Sequence, residues 1–259
     1  MANSPTDLPV HRFEARDGIE LAWRELGEGR PLILIHGYFS NAVTNWIRYG
    51  HAALLAAAGH RVIMPDLRGH GDSARPHDPA AYPRDVLADD GFDLLAHLRL
   101  DPAGAAYDLA GYSLGGRTVV RMLAAGARPR RAVLSGMGLA GILDTQGRGT
   151  YFRHVLTNLG SFAHGSSEWM TEAFLKTTKG DPVALLNILE TFVDTPAAVL
   201  AGIDVPVLVV TGADDDDNGS GAALADALPD ARFSEIPGNH MSAVTRRELG
   251  EAISGFLDS

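Results

Sequence analysis

Apolar and polar positions alternate in two stretches near the start of the chain. Val10 to Arg16 and Ile19 to Leu26 both follow an every-second-residue pattern, which is typical of strands with one buried face. The dipeptide Asp17-Gly18 stands between them and favours a two-residue hairpin turn. The pattern therefore predicts an antiparallel hairpin at the beginning of the fold.

Short apolar runs follow at intervals and predict strands that are buried on both faces. These runs, together with one alternating stretch at the end, occupy residues 32–35, 61–65, 107–112, 131–135, 207–210 and 232–236. Stretches with helical spacing lie between several of them and predict helices over 45–58, 85–98, 118–125 and 246–257. Strands and helices that alternate in this way indicate an α/β fold, with a mostly parallel, doubly wound sheet covered on both faces.

One long segment, residues 139–201, interrupts this alternation because it contains no convincing strand. It has amphipathic stretches instead, at 149–159, 167–177, 181–192 and 196–200. We interpret the segment as a helical cap, or lid, inserted into a core made of residues 1–138 and 202–259. The ligand crevice of a parallel sheet lies beyond the carboxyl ends of its strands. A cap over that edge would cover the ligand, and some of its aromatic residues would line an apolar pocket.

The stretch with the strongest chemical implication is Gly-x-Ser-x-Gly at residues 111–115. It follows a predicted strand and leads into a helical run, which is the setting that exposes a serine at a sharp turn. Gly111 and Gly115 fit this turn because a Cβ at either place would clash where strand and helix meet. Ser113 is therefore the candidate nucleophile.

A serine hydroxyl is a poor nucleophile at neutral pH, so it needs an adjacent base and a carboxylate that orients that base. His240 lies between the last predicted strand and the last helix and is the candidate base. Four consecutive aspartates, Asp214 to Asp217, follow the strand at 207–210 and compete for the role of the acid. The carboxyl ends of these strands would bring all of these groups to one edge of the sheet.

Four short motifs occur in order along the chain, each after a predicted strand. They are His36-Gly37, Asp-x-x-Gly-x-Gly-x-Ser at 66–73, the Ser113 turn, and Gly-x-x-Asp at 212–215 with Gly-x-His at 238–240. With these motifs the chain resembles the α/β-hydrolase family over about its whole length, and the nucleophile–acid–histidine order of that family is kept. The resemblance implies an α/β-hydrolase fold with an inserted cap.

The resemblance also implies which aspartate serves His240. In such relatives the acid stands three residues after the glycine that ends its strand, which selects Asp215, with Asp214 as the next candidate. Asp216 and Asp217 are then solvated neighbours. His36 is expected to brace its loop through hydrogen bonds.

Main-chain donors for a developing oxyanion are the next implied group. They are the backbone N–H groups of Leu114, directly after the nucleophile, and of Tyr38, directly after His36-Gly37. Candidates for contact with the substrate are Phe39, Tyr112, Arg117 and Trp169. For Phe39 and Tyr112 the alternative is simple packing.

Arg117 belongs to the sequence Gly-Tyr-Ser-Leu-Gly-Gly-Arg. This sequence is similar to the nucleophile turn of the hydrolase-fold synthases of the menaquinone pathway, in which that arginine holds an anionic substrate. The alternative interpretation is an arginine paired with a structural carboxylate.

Two further motifs are incomplete. Asp214, Asp216, Asn218 and Gly219 match the start of a calcium loop, but Ala225 stands where the twelfth, acidic ligand is required. Residues 136–141 match the dinucleotide motif Gly-x-Gly-x-x-Gly, but no βαβ unit follows them. We therefore expect no metal and no cofactor.

Composition narrows the function further. The 259 residues carry a formal net charge of -10, which argues against nucleic acid and anionic membranes as partners. The chain has 0 cysteines, so disulfides, thiolate catalysis and zinc–thiolate sites are excluded. Met1 to Pro9 lacks the features of a signal peptide, and no apolar run approaches the roughly 20 residues of a membrane span. We expect a cytoplasmic monomer or homodimer.

Together these patterns predict a serine hydrolase of the carboxylesterase type, acting on a small or medium carboxylic ester or lactone. Ser113 would be acylated, and water activated by His240 would then release the acid. One alternative is a carbon–carbon bond hydrolase or a synthase or lyase that uses the same triad. Another is a receptor-like member that binds a ligand with little turnover.

Overall fold

The structure is a computed structural model and describes residues 8–259. Within these residues, eight strands form one sheet. Their bounds are β1 His11–Glu14, β2 Glu20–Leu26, β3 Arg30–Ile35, β4 His60–Pro65, β5 Asp108–Tyr112, β6 Ala132–Ser135, β7 Val207–Gly212 and β8 Ala231–Ile236. Their order across the sheet is β1-β2-β4-β3-β5-β6-β7-β8. The pairs β1–β2 and β2–β4 are antiparallel, and the other five pairs are parallel. The predicted α/β fold with a mostly parallel, doubly wound sheet is confirmed.

Helices cover both faces of this sheet. Their bounds are α1 His51–Ala57, α2 Val86–His97, α3 Leu114–Ala124, α4 Leu139–Leu143, α5 Gln146–Thr157, α6 Ser167–Thr177, α7 Pro182–Glu190, α8 Ala197–Leu200, α9 Gly221–Asp226, α10 His240–Ala243 and α11 Arg247–Leu257. None of the helices within residues 8–259 combines the length and apolar character needed to cross a membrane. The prediction about a signal peptide rests on Met1 to Pro9, most of which lies outside the described residues.

The central strand β3 shows why the apolar runs of the sequence are continuous. Ile33 and Ile35 belong to the core cluster that includes α2 and α3, whereas Leu32 and Leu34 belong to the cluster that includes α1 and α11. Successive side chains of a strand point to opposite faces, so both faces of β3 are buried. Full burial of each such side chain stabilises the fold by roughly 1.5 to 3 kcal/mol.

Two local predictions are wrong. Glu14 pairs with Glu20, so five residues join β1 to β2 instead of the two-residue turn that Asp17-Gly18 suggested. The predicted helix over residues 45–58 is also interrupted. A π-helical turn covers Val43–Ile47, and Gly50 then takes a φ of 82° before α1 begins. A residue in this left-handed conformation cannot continue an α-helix.

The segment between β6 and β7 contains α4 to α8, and no strand is assigned within it. We call residues 139–201 the helical insertion. Helices α5 to α8 lie close to the predicted ranges, and α6 has the predicted bounds Ser167–Thr177, whereas α4 was not predicted. Tyr38, which follows the carboxyl end of β3, donates its hydroxyl hydrogen to the carbonyl oxygen of Leu185 in α7. The helical insertion therefore contacts the edge of the sheet where the candidate site residues lie.

Candidate active site

The turn between β5 and α3 places Ser113 at a sharp corner of the chain. Its backbone φ and ψ are 55° and -114°, a conformation that costs a non-glycine residue of order 1 to 3 kcal/mol. A Cβ on Gly111 would lie 2.2 Å from the backbone of Gly115, and a Cβ on Gly115 would lie 2.0 Å from the carbonyl oxygen of Ile35. Strand and helix can therefore approach this closely only with glycine at both positions.

Ser113, His240 and Asp215 form a continuous chain of hydrogen bonds. The Nε2 atom of His240 lies 3.0 Å from Oγ of Ser113, and its Nδ1 atom lies 2.9 Å from Oδ2 of Asp215. A carboxylate only accepts, so Nδ1 carries the hydrogen and Nε2 can accept from the serine hydroxyl. The side chains of His240 and Asp215 are 10% and 2% exposed, so the contact between them is largely shielded from water. These distances are within reach for proton transfer.

Only one of the four consecutive aspartates contacts His240. The second oxygen of Asp215 accepts a hydrogen bond from the backbone N–H of Asp217 at 3.2 Å. The Asp217 carboxylate accepts from Arg148 of α5 at 2.7 Å, and Asp214 and Asp216 are exposed.

The same place brings together side chains of the types that bind metal ions. Within the described part of the chain, Asp215, Asp217 and His240 form the one group whose potential ligand atoms all lie within 4.8 Å of one another. However, both ring nitrogens of His240 already have partners, in Asp215 and Ser113. In the calcium-loop motif, the side-chain amide of Asn218 donates to the carbonyl oxygen of Gly136 at 3.0 Å, so this side chain is buried against the segment after β6.

The histidine is held from behind by the core. The Tyr112 hydroxyl donates to the carbonyl oxygen of His240 at 2.6 Å, and the two rings are 5.5 Å apart. Burial raises the pKa of Tyr112 well above its usual value, so it stays a neutral donor. His240 is the first residue of α10, whose N-terminus is capped by the Asn239 side chain. Tyr112 thus contacts the histidine and packs with the cluster on the α11 face of the sheet.

The loop after β3 passes directly beside the nucleophile. A Cβ on Gly37 would lie 3.4 Å from the Cβ of Ser113. The backbone N–H of Gly37 donates to Oδ1 of Asn45 at 3.0 Å, and its carbonyl oxygen accepts from Nδ1 of His36 at 2.8 Å. The Nε2 atom of His36 in turn accepts from the backbone N–H of Leu67 at 3.0 Å. Tyr38, which carries one candidate oxyanion donor, follows Gly37 in this braced loop.

Asn45 is a residue that the sequence reasoning missed. It is buried in the π-helical turn, and turns of this kind often occur at functional sites. A buried asparagine in an otherwise apolar helical pattern, shortly after His36-Gly37, is the signal that could have identified it.

The buried histidines of this region make stability depend on pH. Burial lowers the pKa of His36 to about 4 and that of His70 to about 3, against 6.5 in the unfolded chain. The unfolded state therefore binds more protons near pH 6, and stability falls as the pH falls through 6.5. We expect the free energy of unfolding to be about 1 to 2 kcal/mol lower at pH 6 than at pH 7.5.

Urea denaturation at the two pH values measures this difference. The variant His70→Gln should show a smaller difference, because it loses one of the three histidines, His36, His51 and His70, whose pKa values burial lowers. The variant His154→Gln is the matched control, because His154 is exposed, and it should keep the whole difference. A free energy of unfolding that does not change between pH 7.5 and pH 6 would contradict this prediction.

The four candidates for substrate contact have different surroundings. Phe39 is buried, takes a φ of 25° and lies 5.2 Å from the ring of Phe152 in α5. Trp169 is half-buried in α6 and lies 4.2 Å from the ring of His164. Tyr112, as described, lies behind His240. The structure thus brings Phe39 and Tyr112 to the Ser113 turn and its neighbouring loop, and its described contacts do not connect Trp169 to that turn.

Arg117 is the fourth candidate and has an unusual environment. It is buried, donates to the carbonyl oxygen of Gly141 at 2.9 Å and lies 4.6 Å from the ring centre of Phe192. No carboxylate of residues 8–259 lies within 4.0 Å of it, so it forms no direct ion pair, although Asp194 and Asp144 act on its charge from a greater distance. Its Nε atom has no hydrogen-bond partner in the described part of the chain, and burial lowers the pKa of Arg117 to about 10.

Other glycines near the candidate site allow close packing of the backbone. A Cβ on Gly138 would lie 1.9 Å from the carbonyl oxygen of Gly219, and a Cβ on Gly141 would lie 2.8 Å from the side chain of Asn218. The apparent dinucleotide motif at 136–141 therefore lets the chain after β6 pack against the loop that carries Asp215.

In the loop at 66–73, the Asp66 carboxylate accepts from the backbone of Ala42 and Asp72 and from Arg24.

Comparison with known proteins shows which family the chain resembles. A model of the alpha/beta hydrolase family matches residues 32–250 of the chain. The 2-hydroxymuconate semialdehyde hydrolase of Pseudomonas sp. (strain CF600) is 37% identical over 142 residues, which are 54% of this chain and 47% of that protein. A non-heme chloroperoxidase of Kitasatospora aureofaciens is 37% identical over 106 residues, 41% of this chain and 35% of that protein. The matched regions thus span less than half the length of these relatives.

Solved structures extend the likeness to the whole fold. A thermophilic esterase from Thermogutta terrifontis has a TM-score of 0.75 and 23% identity, covering 96% of this chain and 98% of that chain. The enol-lactonase from Burkholderia xenovorans has a TM-score of 0.71 and 24% identity, covering 97% of this chain and 100% of that chain. At these identities the likeness concerns the fold alone. Because the family model covers most of the chain, this protein belongs to the α/β-hydrolase family.

Proposed function

We propose that the protein is a serine hydrolase that cleaves a small or medium carboxylic ester or lactone through Ser113, His240 and Asp215. The observation that carries the proposal is the unbroken hydrogen-bond chain between these three side chains, with distances of 3.0 and 2.9 Å. It lies at the carboxyl ends of β5 and β7, where ligands of parallel sheets bind. The same constellation performs acyl transfer on unrelated folds, so its geometry supports the chemistry independently of the fold.

In the proposed reaction, Nε2 of His240 takes the proton of Ser113 as Oγ attacks the carbonyl carbon of the substrate. Asp215 stabilises the imidazolium that forms. The oxyanion of the tetrahedral intermediate accepts from the backbone N–H groups of Tyr38 and Leu114. His240 then gives its proton to the leaving alcohol oxygen, and the ester bond breaks. A water molecule repeats the sequence on the acyl-enzyme and releases the acid.

The helical insertion would act as the cap of this site. Phe39 and Phe152 lie 5.2 Å apart beside the nucleophile loop and would contribute apolar contact to the acyl or alcohol group. Arg117, buried with no carboxylate within 4.0 Å among the residues that the structure describes, would favour a substrate with negative charge. Trp169 would contact a substrate that reaches Ser113 by passing along α6.

A second candidate function is hydrolysis of a carbon–carbon bond with the same three residues. The buried positive charge of Arg117, which has no carboxylate within 4.0 Å among residues 8–259, favours it, because products and substrates of such reactions carry carboxylates. A relative named 2-hydroxymuconate semialdehyde hydrolase, 37% identical over 142 residues, gives it further support. The receptor-like alternative keeps the triad but predicts little turnover.

A panel of three kinds of compound tests the proposal. It contains p-nitrophenyl esters, aromatic lactones, and vinylogous ketones in which hydrolysis would break a carbon–carbon bond. We expect turnover of short-chain esters or lactones, and labelling of one serine per chain by a fluorophosphonate, located at Ser113 by mass spectrometry. Turnover confined to the carbon–carbon substrates would favour the second function. Labelling at Ser113 without turnover of any compound would favour the receptor-like alternative, and labelling elsewhere would overturn the proposal.

A further inference from the structure

Tyr38 connects the loop beside the nucleophile with the helical insertion. Its hydroxyl donates to the carbonyl oxygen of Leu185 at 2.6 Å, and the two residues are 147 positions apart in the chain. Both residues are buried. Burial raises the pKa of the Tyr38 hydroxyl well above its usual value, so the group remains a neutral donor at every working pH. A hydrogen bond out of contact with water keeps most of its strength.

The ring of Tyr38 makes a second connection to the helical insertion. It lies 4.7 Å from the ring of Phe152 in α5 and stacks on Phe39 at 4.5 Å. Tyr38 thus touches α7 through its hydroxyl and α5 through its ring. Phe39, the next residue, has a φ of 25°, a conformation that persists only where surrounding contacts determine it. The core holds the same loop at Gly37 through His36 and Asn45, and the ring of Tyr38 lies 6.0 Å from that of His70.

The acceptor of this hydrogen bond is itself firmly placed. Leu185 lies in α7, whose N-terminus is capped by the Asp181 side chain through the backbone N–H groups of Val183 and Ala184. Asp181 also accepts from Nε2 of His77 at 2.8 Å, and Asn187 donates to the carbonyl oxygen of His77 at 3.2 Å. Helix α7 is therefore fixed to the segment before α2, and it offers Tyr38 a rigid anchor.

We infer that Tyr38 is a positioning residue whose hydroxyl bond to Leu185 sets the place of its own backbone N–H, so that the helical insertion determines the geometry of the oxyanion site. The inference rests on the proposed function of Ser113. The backbone N–H and the hydroxyl that bonds to Leu185 belong to the same residue, Tyr38. A shift of α7 is therefore transmitted to the loop without an intermediate residue.

This arrangement affects the transition state more than the bound substrate. Oxyanion donors act on the charge that develops during attack, so a displaced donor lowers kcat and leaves ground-state binding nearly unchanged. Loss of a whole donor costs about 100- to 1000-fold in kcat, and a loosened donor costs less. For Tyr38→Phe we expect kcat to fall about tenfold, with KM changed by less than about twofold.

The experiment compares Tyr38→Phe with Tyr107→Phe. Tyr107 is also buried and donates to a backbone carbonyl oxygen, that of Pro102, at 2.9 Å, but it lies at the opposite end of β5. Both changes remove one hydroxyl and keep the ring, so their effects on folding should match. Each variant is titrated with a fluorophosphonate, and kcat and KM are expressed per reactive Ser113. Amide hydrogen exchange of residues 36–40 is measured in parallel.

We expect faster exchange of residues 36–40 and a lower kcat in Tyr38→Phe alone. Unchanged exchange would overturn the tether, whatever the activity. Faster exchange with an unchanged kcat would show that Tyr38 is merely structural and would also overturn the inference. An unreactive Ser113 in the unmodified protein is a failure of the proposed function instead, and it is recognised before either variant is compared.

Discussion

Replacing Ser113 with alanine is expected to lower ester turnover by about four to six orders of magnitude. The Oγ atom is the group that would attack the substrate, and no other hydroxyl among the described residues is hydrogen-bonded to the His240 ring. Without it, His240 can activate only water, without a covalent intermediate. A loss of 10,000-fold corresponds to about 5.5 kcal/mol of transition-state stabilisation. Active-site titration and steady-state kinetics on the same ester measure the change.

The fold should survive this substitution. Alanine at position 113 keeps the same backbone strain, because both residues carry a Cβ at a φ of 55°. The change removes one half-exposed hydroxyl and a hydrogen bond of 3.0 Å to His240, so the free energy of unfolding should change by no more than about 1 kcal/mol. Thermal denaturation of both proteins tests this expectation.

Ser135→Ala is the matched control for the same chemical change. Ser135 lies at the carboxyl end of the neighbouring strand β6, and its buried hydroxyl has no hydrogen-bond partner within residues 8–259. Removing this hydroxyl should leave turnover unchanged and should hold or raise stability. Substantial turnover by Ser113→Ala, beyond a trace of unmodified enzyme, would disprove the assignment of the nucleophile.

The fold and the position of the site were predictable because they depend on local patterns. Continuous apolar runs such as 32–35 need burial on both faces, and only a sheet between two helical layers provides that. The motifs around Ser113 and His240 each follow a strand, and parallel strands bring their carboxyl ends to one edge. The glycines at 111 and 115 were predictable for the same reason, because the close approach of β5 and α3 is a local requirement.

The contacts that span the helical insertion were not predictable. Tyr38 meets Leu185 across 147 residues, and their pairing depends on how α7 docks, which hydrophobic periodicity does not encode. The environment of Arg117 depends likewise on α4 and on Phe192. The predictions for the turn between β1 and β2 and for the helix around Gly50 were wrong for a different reason. There, local backbone conformation outweighed the dipeptide or helical pattern.

Asp215 presents an intermediate case. Asp214 to Asp217 have identical side chains, so no chemical property distinguishes them in the sequence, and the preference for Asp215 rested on the spacing from Gly212. In the structure, the backbone N–H of Asp215 donates to the carbonyl oxygen of Gly212 at 3.1 Å, which forms a turn directly after β7. This turn directs the Asp215 side chain towards His240 and leaves Asp214 and Asp216 exposed. Geometry of the backbone, rather than chemistry of the side chain, selects the residue.

This selection leads to a second large expected effect, a loss of about 1000- to 10,000-fold in kcat for Asp215→Asn. An asparagine keeps the shape but can donate its amide hydrogen to Nδ1 of His240. The ring would then carry its hydrogen on Nε2, which could no longer accept the proton of Ser113. Fluorophosphonate labelling should slow by a similar factor, since it needs the same proton transfer, while the binding of uncharged substrate analogues should change little.

Asp214→Asn and Asp216→Asn are controls with the same chemical change in the same loop. Both carboxylates are exposed, so both variants should keep turnover within about twofold of the unmodified protein. Asp217→Asn removes the ion pair with Arg148 but keeps the backbone N–H that donates to Asp215, so its effect should also stay small. If Asp214→Asn or Asp216→Asn lost as much activity as Asp215→Asn, the acid would be shared along the loop. The selection of Asp215 by the turn after β7 would then be wrong, even if Ser113 remained the nucleophile.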